Sequence, residues 1–108
     1  IKTTMKNAGV ALEKIPAGTN IEIKTRHHNY VVTKIDDDEY NITGGIFEDQ
    51  IERVKINGST WGGRAIQLNW IGIGMNLEIQ HATRHRMVTT PIESIKIFNK
   101  EWSYTINE

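Results

Sequence analysis

The sequence predicts an all-β protein, a small barrel or partly open roll of roughly six to eight short antiparallel strands. Apolar and polar residues alternate with a period of two in several segments, for example at residues 20–26 and 75–80. Such alternation is typical of strands with one buried face. Turn signals recur about every 8 to 12 residues, and no long segment repeats its apolar residues at the 3.6-residue period of a helix. Together these observations favour a sheet that closes on itself.

The composition limits the chain to one modest domain and disfavours several functions. Its 108 residues fit a single domain, and 13 Lys and Arg residues balance 13 Asp and Glu residues, so the formal net charge is zero. Nucleic-acid binders usually carry a basic excess, because phosphate neutralisation supplies much of their affinity. A net charge near zero favours association instead. The predicted assembly is therefore a homodimer or a complex with another protein.

The chain contains no cysteine. This excludes disulfides, thiolate metal ligands and cysteine nucleophiles, and it fits a reducing cytoplasm, which is the predicted location. No apolar run approaches the roughly 20 residues that span a bilayer, so no membrane partner is predicted.

Turn residues divide the first half of the chain into a lead-in and three strands. Residues 1–15 are predicted to form a weakly ordered, extended lead-in with one helical turn. The lead-in ends at residue 15 because Pro16 biases the residue before it away from the α-helical region. Pro16 and Gly18 then form a turn. The strands that follow are predicted at residues 20–26, 30–35 and 39–43, with aspartates 36–38 at the tip between the last two.

The second half of the chain is organised around residues 57–64, which contain three closely spaced glycines. Asn57-Gly58 is a strong turn dipeptide, so this stretch is predicted to be a shaped loop. Gly72 and Gly74 predict a bend between two further strands. The strands of this half are predicted at residues 51–56, 65–71, 75–80, 87–90 and 92–98, with Pro91 separating the last two and residues 99–108 as a tail or edge strand.

The inward-facing positions of these strands give the predicted core. They are the apolar residues on the alternating face of each strand. The set comprises Ile21, Ile23, Val32, Ile42, Val54, Ile56, Ile66, Leu68, Met75, Leu77, Ile79, Ile95 and Ile97.

The turn at Pro16 and Gly18, followed by three meandering strands, resembles the entry of SH3-like and Sm-like barrels. This resemblance covers about the first half of the segment after Pro16 and implies an SH3-like barrel. The second Sm signature, an Ile-Arg-Gly strand, is missing, so the resemblance implies no RNA-binding ring. The run Gly-Ser-Thr-Trp-Gly-Gly at residues 58–63 is also similar to one in short bacterial proteins of unknown function, which implies a bacterial source but no activity.

A small-ligand site at the glycine-rich loop is the first candidate site. Backbone N–H groups there would cradle a phosphate, with Ser59, Thr60, Trp61 and Arg64 as the lining residues. The P-loop pattern is absent, because Arg64 stands where lysine is required and a strand follows instead of a helix. Ser59 also lacks the Gly-x-Ser-x-Gly elbow of a hydrolase. The glycines are therefore expected to be structural, and the sequence specifies neither an enzyme nor a cofactor.

The histidine pairs His27–His28 and His81–His85 are candidates for a metal site. Adjacent residues of a strand point to opposite faces, and a spacing of four aligns two imidazoles only on a helix. Solvated loops are expected at both pairs, and no metal is predicted. The acidic tip at residues 36–39 lacks the spacing of a calcium loop and is expected to be a soluble hairpin tip.

Single-stranded nucleic acid is the alternative partner. The basic residues expected on the outer surface of one hairpin are Lys24, Arg26, His27, His28 and Lys34, and Tyr30 would stack a base between them. A second basic spot comprises Arg84, His85 and Arg86. The zero net charge and the acidic tip on the same hairpin disfavour this function.

The function that the sequence favours is a non-catalytic binding or assembly module that contacts a protein partner or a second copy of itself. The aromatic residues exceed what this core can bury, and Trp and Tyr are typical interface anchors. Partner binding is therefore predicted at Trp102 and Tyr104, and at Ser59, Trp61 and Arg64 of the glycine loop.

Overall fold

A computed structural model describes residues 8–83 and 85–107 of the chain. These residues form a closed barrel of six antiparallel strands with two extra strands, which confirms the predicted small all-β barrel. Short 3-10 helices lie at Leu12–Lys14 and Gly45–Phe47. The strands are β1 (Gly9–Ala11), β2 (Asn20–Thr25), β3 (Asn29–Lys34), β4 (Tyr40–Gly44), β5 (Glu52–Thr60), β6 (Ile66–Leu68), β7 (Trp70–Gly72), β8 (Asn76–His81), β9 (Met87–Phe98) and β10 (Ser103–Asn107).

The barrel closes because β9 returns to β2. Its strands follow the order β2, β3, β4, β5, β8 and β9, and the closing pair joins Asn20 of β2 to Phe98 of β9. The two extra strands extend this sheet. β6 pairs with the second half of β5, and β10 pairs with the second half of β9. β1 and β7 form a separate two-stranded ribbon.

Pro91 does not split the last barrel strand, contrary to the prediction, because it lies where β9 changes partners. β9 pairs with β8 up to Pro91 and with β2 from Ile92 onward. The Pro91 carbonyl accepts a hydrogen bond from the Arg26 N–H at 3.1 Å. Its missing N–H falls beyond the end of β2 at Thr25, so the proline removes no bond from the ladder.

The predicted core is confirmed except for two residues of β6. Ile66 and Leu68 are 36% and 66% exposed. Within the described part of the chain, β6 pairs with β5 alone, and the strand lies outside the closed barrel, so its side chains stay near solvent. Ile71 and Ile73, which were not in the predicted set, are buried in the core.

Gly58 lies within a strand, and the prediction of a turn at Asn57-Gly58 is wrong. The pairing of β5 with β8 shifts register between Ile56 and Gly58, which marks a β-bulge. Gly58 has φ +146°, and a Cβ there would lie 2.1 Å from the Gln67 carbonyl oxygen of β6. Glycine therefore allows β6 to pair closely with β5.

The segments at the two ends of the described chain both pack onto the barrel. The lead-in was expected to be extended with one helical turn, and residues 9–14 form a strand and a 3-10 helix, with Leu12 buried. Residues 1–7 of the lead-in lie outside the described part. The predicted edge strand of the tail is β10, and Ile106 packs against the core. In the described part, no helix has the length and apolarity required to cross a membrane.

Candidate functional site

Ser59 lies inside the barrel and is not presented at a ligand-binding surface. It is fully buried. Its hydroxyl donates to the Trp70 carbonyl oxygen at 2.7 Å and accepts from the Gly72 N–H at 3.2 Å. Because both hydrogen-bonding roles are occupied, Ser59 joins β5 to β7. This corrects the expectation that it lines a pocket at the glycine loop.

The loop at residues 61–65 exposes Trp61 and Arg64, as expected. Its glycine amides, however, already have partners. The Gly62 N–H donates to Asn76 Oδ1 at 3.1 Å, and the Gly63 N–H donates to the buried hydroxyl of Thr60 at 2.9 Å. These amides are not free to cradle a phosphate, so the glycines serve to close the loop.

Tyr30 is buried and cannot stack a base in this structure, contrary to its expected place on the outer surface. Lys24, Arg26 and His28 are exposed, whereas Tyr30 points inward from the same hairpin. Burial raises the pKa of Tyr30, and a hydrogen bond with the backbone of Ile46 opposes that shift. The exposed basic residues are thus left without the aromatic platform that single-strand binders use.

His81 is buried at the end of β8, so the expectation of a solvated loop is wrong for this residue. Its Nε2 lies 2.6 Å from Glu52 Oε1, and its Nδ1 accepts from the Thr83 N–H at 3.1 Å. Its ring also stacks on Phe47, with 6.3 Å between the ring centroids. Both ring nitrogens are occupied, which indicates a structural role. Within residues 8–83 and 85–107, no group of three or more potential ligands could hold a metal ion.

His27, His28 and His85 are exposed, as expected. Arg84, which belongs to the second predicted basic spot, lies outside the described residues. Arg86 donates to Glu78 Oε1 at 2.7 Å, so the charge of this spot is partly neutralised.

A polar cavity of about 250 Å³ lies beside the first 3-10 helix and the tip between β3 and β4. Lys34 is 4% exposed and Tyr40 is 1% exposed, so these two residues form its floor. The Lys34 Nζ donates to the Leu12 carbonyl oxygen at 2.8 Å and lies 3.4 Å from Asp37 Oδ1. We call this space the Lys34 cavity; its lining comprises Leu12, Glu13, Lys34, Asp37, Asp38, Tyr40 and Asn69.

Tyr40 is expected to titrate far above an ordinary tyrosine. Burial, reinforced by the negative charges of aspartates 36–38, raises the pKa of Tyr40 to about 12 from the usual 10.0. Because the folded state holds this proton more tightly than the unfolded state, the stabilisation is complete below pH 10 and is lost as the pH rises toward 12. Phenolate absorbance during an alkaline titration should show this late transition. Tyr40→Phe should remove it and reduce the loss of stability in that pH range; an unchanged titration curve would contradict the assignment.

Lys34 is buried, so the prediction that it lies on the outer surface is wrong, although the alternation along β3 indicates the inward face. Lys34 shares the face of β3 that carries Tyr30 and Val32, because side chains two apart point the same way, and all three are buried. The charge of Lys34 suggested the outer surface, whereas the alternation of β3 places it inward.

The tail presents a row of apolar side chains on an open strand. In β10, Tyr104 pairs with Ile97 and Ile106 pairs with Ile95, so both side chains lie on the core-facing side of the sheet. Trp102, two residues before Tyr104, precedes the strand. Trp102 is 44% exposed and Tyr104 is 61% exposed, because this part of the sheet extends beyond the barrel.

The predicted partner-binding residues therefore divide between two places. Trp61 and Arg64 lie in the loop between β5 and β6, whereas Trp102 and Tyr104 lie at the hairpin of β9 and β10. Both places border a strand with an open edge among the described residues, β6 after the loop and β10 at the hairpin. β6 has three residues and β10 has five, so β10 offers the longer edge for pairing.

No protein-family model, no curated protein and no solved structure matches this chain. Its function is therefore inferred from its own geometry.

Proposed function

We propose that this chain is a non-catalytic assembly module that self-associates by antiparallel pairing of β10 with β10 of a second copy. The observation that carries the proposal is the open edge of β10, which is paired on one side only among the described residues. Strand addition to a sheet edge gains main-chain hydrogen bonds, while neighbouring side chains provide specificity.

The direction of the free backbone groups follows from the hairpin that precedes β10. The Asn99 N–H donates to the Trp102 carbonyl oxygen at 3.0 Å. Bonded and non-bonded pairs alternate along an antiparallel ladder, so Tyr104 and Ile106 direct their backbone groups toward β9. The backbone groups of Ser103, Thr105 and Asn107 consequently face the open edge.

This arrangement suits a two-fold axis through Thr105. Two copies related by that axis would exchange both hydrogen bonds between their Thr105 residues, and Ser103 would bond with Asn107 of the second copy. Tyr104 would then lie opposite the second copy's Ile106 in a non-bonded pair, where cross-strand side chains approach most closely. An aromatic residue opposite a β-branched residue is a favourable cross-strand pair.

The composition of β10 supports association because nothing in it opposes pairing. Natural edge strands are usually protected by charged residues, prolines or bulges. The five residues of β10, Ser-Tyr-Thr-Ile-Asn, include no charge and no proline, and its register with β9 is unbroken. The zero net charge of the chain acts in the same direction.

Three further predictions from the sequence concern topology, source and location. An SH3-like topology, a bacterial source and a cytoplasmic location stay predictions, and a protein partner other than a second copy is the alternative use of the same strand. Nucleic-acid binding has weaker support, because Tyr30 is buried between exposed Lys24, Arg26 and His28.

We expect the wild-type chain to sediment as a dimer whose dissociation constant changes little with salt. Tyr104→Ala removes the central cross-strand contact and should raise that constant about 30-fold, corresponding to about 2 kcal/mol. Trp102→Ala should weaken the dimer by a smaller factor, about tenfold. Sedimentation equilibrium measures both effects.

Trp61→Ala is the matched control, because Trp61 is 54% exposed but lies in another loop; its dimer should be unchanged. A wild-type monomer at every concentration would overturn the proposal. Co-sedimentation with a single-stranded oligonucleotide at low salt, lost in Arg26→Ala, would favour the nucleic-acid alternative.

A further inference from the structure

The Lys34 cavity has a buried floor and a charged rim. Lys34 and Tyr40 are 4% and 1% exposed, whereas the side chain of Asp37 is 90% exposed. Asp38 and Glu13 are also exposed on the rim. The cavity thus places hydrogen-bond donors at depth and carboxylates at its opening.

The floor has donor capacity that the described residues do not use. A lysine ammonium carries three protons, and the two partners of Lys34 are the Leu12 carbonyl oxygen at 2.8 Å and Asp37 Oδ1 at 3.4 Å. The Tyr40 hydroxyl has no hydrogen-bond partner among the described residues, although the side chain is almost completely buried. Tyr40 lies directly opposite Lys34 in the pairing of β3 with β4, so the two side chains project from the same face of the sheet, and both line the cavity. At ordinary pH the Tyr40 hydroxyl is protonated and can donate a hydrogen bond.

The opposite charges of the cavity are adjacent, because Lys34 Nζ and Asp37 Oδ1 are 3.4 Å apart. A simple anion would gain from Lys34 but would meet the carboxylates of Glu13, Asp37 and Asp38 at the rim. A simple cation would gain from the rim but would leave the buried donors of Lys34 and Tyr40 unused. A ligand whose own opposite charges are adjacent satisfies both ends at once.

We propose that the Lys34 cavity binds a small zwitterion of the α-amino-acid class. The ligand's carboxylate accepts hydrogen bonds from Lys34 Nζ and the Tyr40 hydroxyl, and its ammonium group lies against the carboxylates of Asp37 and Asp38. The volume of about 250 Å³ is below the usual range for drug-sized ligands, so the side chain of the bound molecule is small. This site is separate from β10, and the inference does not depend on self-association.

Three probes of matched size test the inference: L-alanine, ethylamine, which lacks the carboxylate, and propionate, which lacks the ammonium group. Each is titrated into the isotopically labelled wild-type chain and followed by NMR chemical shifts of residues around the cavity. We expect L-alanine to bind with a dissociation constant on the order of 1 mM. Ethylamine and propionate should each bind at least about tenfold more weakly, because each lacks one of the two charged ends.

Two variants assign the binding to the cavity. Tyr40→Phe keeps the ring and removes the hydroxyl, and it should weaken L-alanine binding about tenfold. Tyr30→Phe removes the hydroxyl of another buried tyrosine, which bonds with the backbone of Ile46 and does not line the cavity, and it should leave L-alanine binding unchanged. The inference is overturned if L-alanine shifts no cavity resonance, if Tyr40→Phe binds as well as wild type, or if ethylamine binds as tightly as L-alanine, which would indicate a cation held by the acidic rim alone.

Discussion

Thr105→Pro is expected to convert the dimer into a monomer while the barrel stays folded. The backbone N–H of Thr105 faces the open edge of β10, so proline removes a hydrogen bond between two copies and none within the chain. Proline is tolerated on an edge strand when its missing N–H would face solvent. Loss of both central hydrogen bonds, with a pyrrolidine ring at the axis, should raise the dissociation constant at least about 100-fold, or about 2.7 kcal/mol. Sedimentation velocity and urea unfolding measure the two parts of this expectation.

Two neighbouring substitutions give this experiment its controls. Thr105→Ala keeps the N–H and should stay dimeric. Ile106→Pro removes a backbone donor that faces β9, and Ile106 packs against the core, so this variant should lose intrachain stability as well as association. If Thr105→Pro dimerises like wild type, pairing through β10 is wrong and another surface must hold the copies together.

Gly58→Ala is expected to destabilise the fold strongly. Alanine strongly disfavours a φ of +146°, and its Cβ would lie 2.1 Å from the Gln67 carbonyl oxygen. The neighbouring atom belongs to the backbone of β6, so no side-chain rotation relieves the contact. We expect the free energy of unfolding to fall by about 3 kcal/mol, with loss of hydrogen-exchange protection in β6.

Gly62→Ala is the matched control for this substitution. Gly62 has φ +67°, but a Cβ there would meet nothing within 4 Å, so only the cost of the left-handed backbone remains, about 1 kcal/mol. Equal losses for the two variants, measured by urea unfolding, would show that the close approach of β6 does not matter.

The sequence predicts where the strands lie better than it predicts which strands belong to the closed barrel. Alternation identifies the inward faces of β2, β3 and β8 because these strands are part of the barrel wall, where one face is buried. The same alternation makes Ile66 and Leu68 of β6 look like core residues. Whether a further element covers β6 depends on distant pairing, which periodicity does not report. Asn57-Gly58 fails for a related reason, since a strong local turn signal is overridden by the pairing of β5 with two other strands.

The candidate sites likewise include residues that the sequence alone predicts correctly and residues whose positions depend on distant parts of the chain. Trp102 and Tyr104 were predicted as exposed anchors from the number of aromatic residues alone, and both are exposed. The polar groups of Tyr30 and Lys34 favour the outer surface when the sequence is considered alone. Their positions in β3 required the inward face, and burial of a polar group is tolerated when a partner satisfies it. The Leu12 carbonyl oxygen that accepts from Lys34 comes from another part of the chain, and no local pattern shows it.

The return of β9 to β2 has a consequence for the order in which the protein folds. The barrel strands β2 to β5 and β8 pair with strands that are closer in sequence, but the closing pair of Asn20 and Phe98 joins residues far apart along the chain. Long-range pairing of this kind raises contact order and slows folding. During synthesis, the earlier strands emerge as an open sheet with β2 unpaired along one edge, and they remain open until β9 leaves the ribosome. Barrel closure is therefore a late event in folding, and the exposed edge of β2 is the place where chaperones or premature aggregation would compete with it.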